Sequence, residues 1–177
     1  MMRFDSLIDA VQQSLEQEIE LLSILTPEQY SAPAAGYYRS SVGMHLRHNL
    51  DHFAAFFEGL PSTCIDYESR ERNASIEEQP EFARAEINRF LALLDALRSE
   101  EADFVIKVRE ESEAGVGKQD WLPSSLGREL QFLLGHTVHH NALIAMIVHG
   151  NGFKLPTGFG VAPSTQRHQQ KLAPSSN

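Results

Sequence analysis

Histidine is the residue type whose number and spacing in this chain could do chemistry. The chain has eight histidines among 177 residues. Six of them fall in two short windows, residues 45–52 and residues 136–140. Neutral imidazole is the commonest metal ligand in proteins and suits zinc, copper, iron and nickel. The two windows therefore predict a metal site that two separate parts of the chain build together.

The second window has the spacing of a ligand pair on one helix. Residues four apart differ by about 40° around an ideal α-helix, so His136 and His140 share a face with Cβ atoms about 5–6 Å apart. His139 turns away by about 60°, and Glu129 lies about 10 Å away along the axis, so we expect neither to ligate. The neighbours on the His136 face are apolar, which predicts that it points inward: Phe132, Leu133, Leu143 and Ile147.

The first window offers three candidates for a third ligand. His45, His48 and His52 fall within an arc of about 100°, so all three could line one groove. The apolar residues of this segment lie on nearly the opposite side, so the pattern also suits a helix with a solvated histidine face. A catalytic zinc site takes three protein ligands and leaves one position open. One histidine of this window, added to His136 and His140, gives three ligands. We expect the other two histidines of the window to lie at the rim of the site or to support its ligands.

Apolar residues at three- and four-residue steps predict four long helices that position these windows. The predicted fold class is all-α, a four-helix bundle, because the helices have comparable length and apolar stripes. Residues 104–108 and 118–122 flank the glycines of 115–117, which predicts a short β-hairpin excursion between the third and fourth helices. A capping box at Thr26 predicts a short extra turn. Three of the predicted helices cover residues 4–25, 41–58 and 125–149. The third in chain order begins between residues 75 and 80 and ends at residue 99.

Length and composition predict one domain over residues 1–165 and a polar tail over 166–177. Fifteen Lys and Arg residues against twenty-four Asp and Glu residues give a net charge of −9, which argues against nucleic acid or an anionic membrane as partner. One cysteine, Cys64, excludes an internal disulfide and fits a reducing compartment. The chain has no secretory leader pattern and no apolar run of about twenty residues, so we expect a cytoplasmic protein without a membrane span.

The pattern resembles the DinB-like superfamily of metal-binding four-helix bundles over nearly the whole chain. Ser41-Val42-Gly43, followed by His48 and Asp51, is similar to the family motif on the second helix. The pair at 136 and 140 and the turn at 152–156 match its late histidine motif, and segments 65–72 and 159–165 resemble an uncharacterised branch. The resemblance implies that the metal ligands are His48, His136 and His140.

Two departures from the family pattern narrow the expected chemistry. Asn141-Ala142-Leu143 stands where many members have Arg-Gly-Gln. The related domain of ergothioneine-pathway sulfoxide synthases has a glutamate at the position of Ala142, and the second domain of those enzymes is missing. The resemblance therefore disfavours sulfoxide synthesis for this chain.

The resemblance implies one divalent metal ion, zinc before nickel or iron, and a small-thiol S-transferase or related detoxification enzyme. Its cosubstrate would be a thiol such as bacillithiol or mycothiol, which a site of three neutral imidazoles would bind as the thiolate. Arg70 and Arg72 could hold a carboxylate of that thiol, although polar loop residues are usually only solvated. A metal-activated hydrolase and a non-catalytic, metal-binding or dimeric bundle remain as alternatives.

Overall fold

The computed structural model describes residues 4–35, 39–69, 73–109, 121–162 and 165. Within these ranges the chain is predominantly helical, as predicted, with one small sheet. The predicted tail at 166–177, the glycines at 115–117 and the pair Arg70 and Arg72 lie outside the described residues. The helices are α1 (Phe4–Leu22), α2 (Pro27–Ser31), α3 (Val42–Gly59), α4 (Ala74–Glu78), α5 (Pro80–Ala96) and α6 (Leu126–Gly150).

Four long helices enclose the core. Helices α1 and α3 each pack against both α5 and α6, and positions of the predicted apolar stripes such as Ile8, Val11 and Leu15 are fully buried. The third long helix, α5, begins at Pro80, at the end of the predicted range. Gln79 is extended because a proline follows it, and it separates α5 from the short helix α4, which was not predicted. The predicted extra turn is present as α2, where Thr26 and Gln29 cap each other reciprocally. None of the helices in the described ranges is long and apolar enough to cross a membrane.

A three-stranded sheet joins the ends of the helices. Its strands are β1 (Cys64–Asp66), β2 (Val105–Arg109) and β3 (Leu122–Ser125), in the order β1-β2-β3. The predicted hairpin is present as the antiparallel pair β2–β3. Residues 118–120 of its predicted second strand lie outside the described residues, and β3 continues past the predicted end to Ser125. Strand β1 runs parallel to β2 and was not predicted, because three residues are too short to show a period. Its central residue, Ile65, is fully buried, and the strand packs against α3.

Polar side chains cross the apolar core between α1, α3 and α6. Asn49 donates from Nδ2 to Oε1 of Glu18 at 2.9 Å and accepts from the hydroxyl of Thr137 at 3.1 Å. Asn141 donates from Nδ2 to the carbonyl oxygen of Ser14 at 3.2 Å. None of the five residues is more than 2% exposed. We call these residues the polar layer, and it ties three helices together by hydrogen bonds that are shielded from water.

The polar layer lies directly beside the histidine windows. Three of its members each follow a predicted metal ligand in the chain, which places them next to His48, His136 and His140. Because consecutive residues of a helix differ by about 100°, the ligands face one side of the layer while its members face the core. The polar layer therefore fixes the position of α3 relative to α6 along the helix axes, and with it the alignment of their histidines.

Burial makes Glu18 the pH-sensitive member of the polar layer. Loss of hydration raises the pKa of Glu18 well above its usual value, an effect that the hydrogen bond from Asn49 opposes. Within the described part of the chain, Oε2 of Glu18 has no hydrogen-bond partner. The folded state thus keeps a proton that the unfolded chain releases above about pH 4.3, so this group makes stability fall as pH rises.

Glu18→Gln should therefore stabilise the fold at pH 8, by about 1 kcal/mol or more, because glutamine has no proton to release on unfolding and keeps the acceptor for Asn49. The gain should shrink at pH 5, close to the pKa of the unfolded side chain, because there the ionisation of the unfolded wild-type chain contributes less. Urea unfolding at both pH values measures the difference, and Glu16→Gln, an exposed position on the same helix, is the control. An equal gain at the two pH values would contradict the prediction.

Candidate metal centre

Helices α3 and α6 bring His48, His136 and His140 together. One ring nitrogen from each lies within 4.8 Å of the other two. The ring centroids of His136 and His140 are 4.5 Å apart, and that of His48 is 5.1 Å and 4.8 Å from them. Among the described residues, this is the one group of three histidine, cysteine or acidic side chains so arranged. We call it the three-histidine centre.

Local packing at the start of α3 aims the first histidine window at α6. The hydroxyl of Ser41 accepts the backbone N–H of Met44 and so begins the helix at Val42. A Cβ added to Gly43 would lie 2.0 Å from the carbonyl oxygen of Glu77, so only glycine lets α4 approach this turn. The Ser-hydrophobic-Gly motif therefore starts α3 and lets it pack closely against α4, which positions His48.

The donor set fits a divalent metal ion. Zinc is bound by imidazole nitrogen at about 2.0–2.1 Å, which places the donors of a tetrahedral site about 3.3 Å apart. The three nitrogens of this centre lie within 4.8 Å of one another, so small rotations of the side chains would bring them to that separation. Three protein ligands also leave a fourth position for a substrate.

His45 supports the centre through His140. The Nδ1 atoms of the two rings are hydrogen-bonded at 3.0 Å, and Nε2 of His45 is 3.0 Å from the hydroxyl of Ser40. If Nε2 of His140 held a metal, its Nδ1–H would donate to His45, whose Nε2–H would in turn donate to Ser40. Partners of this kind fix the tautomer and orientation of a ligating imidazole. Both nitrogens of His45 are engaged, which favours a supporting role over ligation.

Burial keeps this pair of imidazoles neutral. Loss of hydration, followed by the neighbouring His48 and His45, lowers the pKa of His140 to about 3. Loss of hydration, followed by His139, lowers the pKa of His45. A histidine must be deprotonated before it binds a metal. At neutral pH, His140 is therefore in the form that ligation requires.

His52 is held beside the centre by backbone and aromatic contacts. Its Nδ1–H donates to the carbonyl oxygen of His48 at 2.8 Å, and its ring centroid is 4.1 Å from that of His136. The ring centroids of Tyr67 and Phe132 lie 5.7 Å and 5.9 Å from that of His52. These contacts place His52 as a packing partner of the centre.

Glu129 and His139 lie outside the three-histidine centre, as the helical spacing predicts. Glu129 is buried, and its carboxylate accepts hydrogen bonds from Tyr67, at 3.0 Å, and from Ser124. His139 is exposed, with its ring perpendicular to that of His140 at 5.3 Å. Neither side chain belongs to the group of three.

The alternative of a solvated histidine face on α3 is excluded. His45 and His52 are only 8% and 4% exposed, and the apolar residues opposite them, such as Leu46 and Phe53, are fully buried. Helix α3 is covered on both sides because α2, α4 and β1 pack against it in addition to α5 and α6. The hydrophobic period of α3 by itself does not show that other elements cover its histidine side.

Two supporting residues, Ser40 and Tyr67, were not assigned from the sequence. Ser40 precedes the helix cap and contacts His45, while Tyr67 follows β1 and links His52 to Glu129. The one local signal for Tyr67 is that it is an aromatic residue within a polar connection. The contacts of Tyr67 depend on how this connection folds against distant parts of the chain, so no residue spacing in the sequence predicts them.

Two openings flank the centre. One is an apolar pocket of about 330 Å³, where His45 faces Leu143, Ile147 and Gly150. The other is a groove of about 400 Å³ along α6, which we call the α6 groove. Because its lining includes His136, the α6 groove borders the three-histidine centre. Its lining residues are Arg128, Gln131, Phe132, Gly135, His136 and His139.

Comparison with known proteins assigns no family to this chain. No family model matches it. FK506-binding protein 5 of Rhizopus delemar is 30% identical over 109 residues, which are 62% of this chain and 28% of that protein. This chain thus spans little more than a quarter of the length of the curated relative. The functional argument therefore rests on the centre itself.

Replacing His45 with alanine should weaken zinc binding by about tenfold without abolishing it, because orienting partners typically contribute 10- to 100-fold to metal affinity. Competition with a fluorescent zinc chelator measures the affinity. His149→Ala, at an exposed position near the end of α6, should leave it unchanged. If His45→Ala lost as much affinity as His140→Ala, His45 would be a ligand instead of a support.

Proposed function

We propose that this chain is a DinB-like, divalent-metal-dependent enzyme that transfers a small thiol to an electrophilic substrate. The observation that carries the proposal is the convergence of three imidazole nitrogens within 4.8 Å, with His45 bonded to the ligand His140. Zinc is the proposed ion, and the same donors also accept nickel or iron. A divalent ion in this centre lowers the pKa of a thiol bound to it, so that the thiolate nucleophile forms near neutral pH.

The residues of the chain hold and shield this site. His48, His136 and His140 supply the ligands, and an imidazole that binds a metal carries no charge, so the three would leave the charge of the ion available to an anionic sulfur. His45 fixes the ring of His140. The buried ring of His52 packs at an angle against that of Phe132, with centroids 5.9 Å apart, and both limit the access of water to the site. In this proposal the side chains of the protein bind the metal ion, orient its ligands and exclude water from the site.

The proposed setting is the reducing cytoplasm, where small thiols remain free and the half-buried Cys64 stays unpaired. The proposed partners are small molecules, because the net charge of −9 opposes association with nucleic acid. We include a homodimer in the proposal. Size-exclusion chromatography with light scattering measures that state.

Elemental analysis tests the centre before any activity is measured. Untagged wild-type protein should hold about one zinc ion per chain. His136→Gln and His140→Gln should each lose most of it, because two imidazoles hold zinc far more weakly than three. His149→Gln, an exposed substitution on the same helix, should retain the wild-type content. Zinc content below half an equivalent in supplemented wild-type protein would contradict the centre.

Turnover assays then separate the three candidate functions. With an aryl halide as electrophile, product should form only when both zinc and a small thiol are present, and the two glutamine variants should be inactive. Product formed from an ester without thiol would identify a hydrolase instead. Zinc binding with no turnover in either assay, but with a raised melting temperature, would identify a non-catalytic metal-stabilised fold.

A further inference from the structure

The apolar pocket near the end of α6 has two polar side chains, Ser40 and His45, among its described lining residues. Most of the remaining described lining is apolar and comes from Ala34, Ala35, Leu143, Met146 and Ile147. None of the described lining residues carries a carboxylate, an ammonium or a guanidinium group. The volume of about 330 Å³ is near the lower end of the range of about 300–1,000 Å³ for small-molecule sites. The pocket therefore suits a small, neutral molecule with an apolar body.

Hydrogen bonds hold one wall of this pocket in place. The side chain of Asn151, which follows α6, accepts the backbone N–H of Ala35 at 2.9 Å and donates to the carbonyl oxygen of Pro33 at 3.2 Å. The backbone N–H of Ala34 donates to the carbonyl oxygen of Ser40 at 2.8 Å. The wall that carries Ser40 is thus tied to the end of α6 in the absence of any ligand.

Two hydrogen bonds lead from this pocket to the three-histidine centre. Oγ of Ser40 is 3.0 Å from Nε2 of His45, and Nδ1 of His45 is 3.0 Å from Nδ1 of His140. The two histidines are only 8% and 7% exposed, so water competes little for these bonds. A neutral imidazole carries one N–H, so the two bonds run either both toward Ser40 or both toward His140. We call Ser40, His45 and His140 the relay.

The two states of the relay differ in direction and not in charge. In the first state His140 donates to His45, and His45 donates to Ser40. Nε2 of His140 can then bind a metal ion, and the hydroxyl hydrogen of Ser40 can point into the pocket. In the second state Ser40 donates to His45 and His45 donates to His140, whose proton on Nε2 blocks ligation. A metal ion and a hydrogen-bond acceptor in the pocket therefore select the same state.

We propose that the apolar pocket binds a small, neutral molecule with an apolar body and one hydrogen-bond acceptor, such as a carbonyl oxygen. The acceptor takes the hydroxyl hydrogen of Ser40, so this molecule and the metal ion strengthen each other's binding through His45. Because coupling between two sites is reciprocal, both affinities rise by the same factor. The inference rests on the metal centre of the proposed function and adds a ligand that regulates it.

Acetophenone and α-methylstyrene are matched probes of the pocket, because they have nearly the same size and shape but only acetophenone has a carbonyl oxygen. Competition with a fluorescent zinc chelator measures the zinc affinity of the wild-type protein with and without a saturating probe. Acetophenone should raise this affinity about threefold to tenfold, the range expected for one net hydrogen bond, whereas α-methylstyrene should leave it nearly unchanged. Calorimetry should give the same factor between the acetophenone affinities of the zinc-loaded and metal-free protein.

Ser40→Ala should abolish this coupling while the protein still binds zinc, because the pocket then lacks its hydroxyl donor. Ser99→Ala, at an exposed position far along the chain, is the control and should keep the full effect of acetophenone. Nitrogen NMR of histidine-labelled protein shows which ring nitrogen carries the proton. Zinc should place the proton of His45 on Nε2, and acetophenone should shift the metal-free protein toward the same tautomer.

Zinc titration without a probe tests the proposed centre separately. If the wild-type protein does not bind zinc, the centre is wrong and this inference is wrong with it. If zinc binds but acetophenone leaves its affinity unchanged, the inference is overturned while the centre stands. An equal effect of the two probes, or an undiminished effect in Ser40→Ala, would also overturn it, because the coupling would then not pass through the hydroxyl of Ser40.

Discussion

The hydrogen bonds of Asn49 across the apolar core fix the relative heights of α1, α3 and α6. Asn49 joins Glu18 to Thr137 in a region without access to water. A slip of α6 by one turn, about 5.4 Å, would leave these polar groups unpaired, at a cost of about 1–3 kcal/mol each. The same slip would carry His136 and His140 away from His48. The polar layer therefore stabilises one register, and the three-histidine centre exists only in that register.

Neutral imidazoles are the second condition on which the centre depends. Five histidine rings pack together between α3 and α6, and neighbouring centroids are 4.1–5.2 Å apart. Charged rings at these separations would repel one another, and burial already lowers the pKa of His140 to about 3. A neutral cluster can instead share hydrogen bonds and offer ring nitrogens to an ion. The packing that disfavours protons thus favours a metal.

Local sequence signals were sufficient for the helices and for the pair on α6. Apolar periods predicted the four long helices to within a few residues, and a four-residue spacing placed His136 beside His140. The choice of His48 came from a family resemblance, since the arc on α3 left three candidates. The contact between His45 and His140 spans 95 residues, and β1 has only three residues. Neither has a local period, so both required the tertiary structure.

The glycines of α3 and α6 differ in whether the packing of the fold explains them. Gly43 has an internal reason, because a carbonyl oxygen of α4 would lie 2.0 Å from any Cβ. Gly135 has no such neighbour among the described residues, although glycine weakens the helix that supplies two of the three predicted ligands. The packing that explains Gly43 therefore does not explain Gly135.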